Sequence, residues 1–131
     1  MNSASLTVTT LVVGGSAGGR EAAIAAALVP GLASAAILEG LSDGNSALAD
    51  LAELTKGGAA PAVQVMRIAP GCLCCAGNVI LRVTLNRLLR HPPEQLFISL
   101  ADASHLETLR LWLSSAPYDQ LLDLGADIAV A

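Results

Sequence analysis

Aromatic side chains are nearly missing from this sequence: one Trp, one Tyr and one Phe amount to 2% of its 131 residues, while hydrophobic residues reach 53%. A core without large rings must be filled by many small aliphatic side chains, packed to the usual interior density. Charge is equally scarce. Charged residues are 14% of the chain, with 7 basic against 11 acidic and a formal net charge of -4. That balance leaves no electrostatic footprint for nucleic acid or for an anionic membrane, and neither is expected as a partner. The uneven charges, with Arg82, Arg87 and Arg90 in one predicted helix and an acidic C-terminal third, read as solvated surface.

No secretory leader is expected, because the first basic residue, Arg20, follows the apolar run 11–13 and neighbours Glu21, whereas a signal needs its basic region first. No apolar run reaches the roughly 18 residues of a membrane span; the alanine-rich stretch 22–36 is interrupted by Pro30 and Gly31. A soluble cytoplasmic protein is expected. Three cysteines within four positions cannot make a disulfide framework and are read as reduced thiols.

What is present is a repeated alternation. Segments 6–13, 34–39, 62–68, 95–100 and 127–130 are rich in aliphatic and β-branched residues and read as buried strands. Segments 19–29, 46–56, 78–90 and 104–115 have helical spacing between them. In the third of these Ile80, Leu81, Leu85, Leu88 and Leu89 recur at intervals of three and four, while Arg82, Asn86, Arg87 and Arg90 take other faces. Near-continuous apolar strands alternating with helices predict an α/β fold, a mostly parallel sheet of about five strands with helices on both faces. The length suits one domain, residues 1–131, with no internal repeat.

After the first strand the sequence runs Gly14-Gly15-Ser16-Ala17-Gly18-Gly19-Arg20-Glu21, in which Gly14 and Gly19 have the spacing of the phosphate loop GxxxxGK[ST]. Glycines there let backbone N–H groups surround an anion at a helix start. The lysine that bridges phosphates is replaced by Arg20, a planar fork, and the hydroxyl that ligates magnesium by Glu21, an anion. GTP with magnesium is therefore a doubtful cofactor. The dinucleotide pattern GxGxxG fits in no register. Two readings stay open: a turn that binds nothing, and a weak anion site made by Gly14, Gly15, Gly18, Gly19 and Arg20.

Gly71-Cys72-Leu73-Cys74-Cys75 follows the third strand. Thiolates so close together in a glycine-flanked loop can converge on a soft or borderline cation, and Zn²⁺ or a similar transition metal would seek a fourth ligand elsewhere. Glu39, at the end of the second predicted strand, is the candidate; a metal site is favoured over structural or redox thiols.

A GCxCC motif after a third strand, downstream of a GxxxxG loop, resembles the CobW family of P-loop GTPases, which includes zinc and cobalt metallochaperones. The resemblance spans the glycine loop, Ile37-Leu38-Glu39 where the family has a strand ending in Asn-Glu, the cysteine loop, and the strand Leu96-Phe97-Ile98. It implies a three-layer P-loop fold and a metal site at Glu39, Cys74 and Cys75, with Cys72 nearby. This chain covers the early portion of the family's pattern, without its Asn-Lys-x-Asp motif or C-terminal domain. The family's γ-phosphate sensor, aligned without a gap, places Ser99 on its glutamate, Asp102 on its glycine and His105 on its Asp/His position. That switch is degraded, and His105 reads as a surface histidine at a helix start.

Loss of the lysine, the magnesium hydroxyl, the switch glutamate and the base-reading motif removes the groups on which phosphoryl transfer relies. The leading expectation is a metal-binding protein, for zinc, cobalt or a similar ion, with a degenerate phosphate loop and no efficient GTPase activity. The alternatives are a non-catalytic scaffold acting with a protein partner or as a homo-oligomer, and an active GTP-binding metallochaperone in which Arg20 replaces lysine.

Overall fold

The structure, a computed structural model, describes residues 6–40, 48, 52–53, 63–68 and 78–131. Strands β1 (Thr7–Gly14), β2 (Ser34–Glu39), β3 (Val63–Ile68), β4 (Gln95–Ser99), β5 (Leu122–Leu124) and β6 (Ile128–Val130) form one sheet. Helices α1 (Ala17–Ala27), α2 (Asn78–Leu88) and α3 (Leu106–Leu113) connect them, and Leu48, Ala52 and Glu53 are also helical. The sheet order is β3-β2-β4-β1-β5, with β6 also paired to β1, and every pairing is parallel.

The period-2 alternation of side chains sorts each strand between two cores. Leu11, Val13, Ala35, Ile37, Leu96 and Ile98 point to one face, where Leu81, Leu85 and Leu88 of α2 and Leu109 and Leu113 of α3 cover them. Val12, Ala36, Leu38 and Phe97 point to the other, against Ile24 of α1 and Leu48. All six residues of β2 are buried. Both faces are therefore covered, as the near-continuous apolar strands predict, and the small Ala35 and Ala36 stand in for the missing rings. Among the described residues no helix is long and apolar enough to cross a membrane.

Element boundaries follow local chemistry. Ser16 caps α1 by accepting the Gly19 N–H at 3.0 Å, so the helix starts two residues before position 19. It ends before Val29, whose backbone the following Pro30 biases away from the helical region. Asp102 accepts the Ser104 N–H at 2.9 Å and opens a 3-10 turn at Ala103–His105, which delays α3 to Leu106. That backbone N–H holds the Asp102 carboxyl below its usual value.

Two expectations need correction. The final ladder position is shared by two short strands: β5 runs beside Thr7–Thr9 and β6 beside Val12–Gly14, joined where the Gly125 N–H donates to the Thr9 carbonyl at 2.9 Å. Three residues of Leu-Asp-Leu are too few to display a period, so β5 was not foreseen. Ile80, expected in the core stripe of the third predicted helix, is 49% exposed. At about 100° per residue it lies far round α2 from the buried Leu81, Leu85 and Leu88.

Tyr118 ties α2 to α3. Its ring lies 4.9 Å from that of Trp112, and its hydroxyl donates to Asn86 Oδ1 at 2.9 Å. Burial pushes its phenol pKa up, and the nearby Arg82 charge pulls it back.

At Gly14 φ is +89°, and an added Cβ would fall well inside contact distance of the Val130 carbonyl oxygen on β6. Gly31 shares φ +89° but has open space within 4 Å. Gly31→Ala is expected to lose about 1 kcal/mol of stability from backbone strain alone, and Gly14→Ala about 3 kcal/mol, because strain and collision add. Urea unfolding of the two variants checks this; equal losses would contradict the close approach of β6.

Candidate functional site

The connection from β1 leads to β2 on one side of β4, whereas β4 leads on past β1 to β5. The strand order thus reverses between β1 and β4, and in open parallel sheets the crevice at the C-terminal ends of such a pair is where ligands bind. Here that crevice is formed by Gly14 and Gly15, the start of α1, and Ser99 with the residues after it.

Arg20 fills it. Only 4% of Arg20 is exposed, and its guanidinium points back into the loop that precedes it. Nε donates to Ser99 Oγ at 2.8 Å, and Nη1 donates to the Gly14 and Gly15 carbonyls at 3.0 and 3.1 Å. Two of its three nitrogens are thereby spent on the protein's own acceptors. Two of the donors at the helix start are engaged as well, since Ser16 Oγ takes the Gly19 N–H and the Ser16 carbonyl takes the Arg20 N–H at 2.9 Å. Gly14 (φ +89°) and Gly15 (φ +58°) provide the left-handed backbone that turns both carbonyls toward the guanidinium.

Glu21 does not face a magnesium position either. It is 2% exposed and holds Arg67 of β3 in a two-pronged ion pair, Oε2 with Nη1 at 3.1 Å and Oε1 with Nη2 at 3.0 Å. The fork geometry is one that arginine, not lysine, supplies. Sequence reading missed this pair, although a signal existed: Arg67 is the only basic residue within the predicted strands, and an acid on an alanine-rich, core-facing helix needs a cation.

Glu39 closes β2 at the same edge. Its register partner on β3 is Ile68, and the residue before it, Leu38, pairs with Ser99 of β4. Glu39 is 3% exposed, and its Oε1 accepts the Ala101 N–H at 2.8 Å. Beyond it the Gly40 N–H donates to the Ile68 carbonyl at 2.9 Å, so β2 and β3 leave the sheet together. Cys72, Cys74 and Cys75 lie outside the described residues, four to seven positions after Ile68. Among the described residues no group of three histidine, cysteine, aspartate or glutamate side chains gathers as a metal site.

The structure therefore brings Gly14, Gly15 and Arg20 into one cluster with Ser99, the residue aligned with the sensor glutamate, with Gly18 and Gly19 in the first turn of α1 and Glu39 two strands from β1. His105 stands at the start of α3, as expected, but is half-buried there, and among the described residues its shielded Nδ1 has no hydrogen-bond partner.

The Arg20–Ser99 contact predicts strong coupling. Arg20→Met is expected to cost about 3 kcal/mol and Ser99→Ala about 2 kcal/mol, because each leaves a buried polar partner unpaired. The double variant should cost about 1–2 kcal/mol less than their sum. Additive losses in urea unfolding would mean that the two side chains do not act as a pair.

No protein-family model, no curated protein and no solved structure matches this chain.

Proposed function

We propose that this chain is a CobW-like pseudo-GTPase domain: it binds one transition metal ion, zinc or a similar cation, through Cys72, Cys74 and Cys75 with Glu39, and it does not turn over GTP. The observation that carries the second half is the filled crevice. A nucleotide phosphate at the glycine loop would have to displace Arg20 from Ser99 and from two carbonyls, and would find the Gly19 N–H already accepted by Ser16 Oγ. Magnesium would find Glu21 committed to Arg67. Each replacement of a P-loop side chain is thus answered by an internal partner, which supports a loop retained for structure.

For the metal half, the support is chemical and positional. Thiolates suit zinc and related ions, and such a site is completed by a carboxylate or imidazole from another segment. Glu39 stands where β2 and β3 leave the sheet side by side, and the sequence reaches Cys72 four residues after Ile68. The Ala101 N–H on Oε1 fixes the carboxylate's orientation, the kind of outer partner that metal-ligating carboxylates keep.

Protein purified under reducing conditions is expected to bind about one equivalent of zinc by elemental analysis. Cys74→Ser together with Cys75→Ser should abolish that binding, and Glu39→Gln should weaken it about 10- to 100-fold. Unchanged stoichiometry in the double cysteine variant would refute the metal site. Separately, titration with GTP and magnesium should give no turnover above background; hydrolysis at the rate of an intact P-loop GTPase would refute the pseudo-GTPase reading while leaving the metal site untouched.

A further inference from the structure

The positive charge of this acidic protein is distributed in an unusual way. Among the described arginines, Arg20 is consumed by the glycine loop, Arg67 by Glu21 and Arg110 by Asp127 at 2.6 Å. The remaining three, Arg82, Arg87 and Arg90, all lie on α2 or just after it, and α2 contains no acidic residue. The same helix exposes Val79 (57%), Ile80 (49%) and Val83 (53%). At about 100° per residue, Val79, Val83, Arg87 and Ile80 fall within one arc of roughly 100° on the side away from Leu81, Leu85 and Leu88. A strip of β-branched side chains thus passes, within about 12 Å along the helix, into a basic end.

Single exposed aliphatics need no explanation, but three adjacent ones beside arginines that have no ion pair among the described residues form a surface with a chemical preference. We propose that the outer face of α2 docks a protein segment that is acidic and amphipathic, its apolar side chains covering Val79, Ile80 and Val83 and its carboxylates meeting Arg82, Arg87 and Arg90. The apolar strip excludes water from the contact, and the arginines select the partner's charge and speed its approach. An anionic membrane is the weaker fit, because three β-branched residues with no aromatic side chain among them offer little insertion. The inference does not depend on metal or nucleotide binding.

The test is fluorescence anisotropy of two labelled synthetic helical peptides titrated with the full chain. They carry leucines at spacings of three and four and differ only in having glutamate or lysine on the flanks. The glutamate peptide is expected to bind, more weakly as salt rises, and the lysine peptide to bind at least about tenfold more weakly. Arg87→Glu with Arg90→Glu should reverse that preference. Val79→Ser with Val83→Ser should weaken the glutamate peptide about tenfold while preserving its salt dependence. All four positions are exposed, and circular dichroism verifies the fold of each variant. Equal binding of the two peptides, an unchanged preference in the charge-reversed variant, or binding to phosphatidylserine vesicles without binding to the glutamate peptide would overturn the proposal.

Discussion

A guanidinium stays charged inside a protein, so burying one at the junction of a strand and a helix is tolerable only where acceptors surround it. Arg20 finds them in Ser99 and in the carbonyls of Gly14 and Gly15. Those carbonyls point inward because both glycines adopt positive φ, and the turn in turn leads straight into α1 behind the Ser16 cap. The guanidinium thereby bridges the ends of β1 and β4. The helix start, the glycine turn and the end of β4 become one cross-linked unit.

The neighbouring position follows the same logic. Glu21 is as deeply buried as Arg20 but opposite in charge, and it is held by Arg67 from β3. Two successive residues of α1 thus anchor the helix to the sheet at separate points, one at β4 and one at β3. The pair is 31% exposed on the arginine side, so its strength is that of a half-buried interaction, and its geometry matters more than its energy. It fixes the rotation of α1, which in turn directs Arg20 toward the loop.

The architecture was legible because it rests on periodicity. Strand and helix segments, the parallel sheet and the two covered faces all follow from aliphatic runs punctuated by glycine and proline, and β2 was located to the residue. What sequence could not supply were facts of three-dimensional partnership. Arg20 and Glu21 were visible as departures from a phosphate loop, but their partners Ser99 and Arg67 lie 79 and 46 positions away. Ile80 reads as one stripe with Leu81, Leu85, Leu88 and Leu89, yet it is neither three nor four positions from any of them and lies on the outer side of its helix. Strand β5 was too short to carry a period at all. The cysteines, the sharpest feature of the sequence, lie outside the described residues.

The division of the last ladder position between β5 and β6 has a temporal side. Gly14 takes its conformation against the backbone of Val130, a residue from the opposite end of the sequence. A contact of such long range closes late when a chain folds, because its loop entropy must first be offset by nearer contacts. The glycine turn therefore takes its final shape only once β6 has docked beside β1, and its integrity reports on the closure of that pairing.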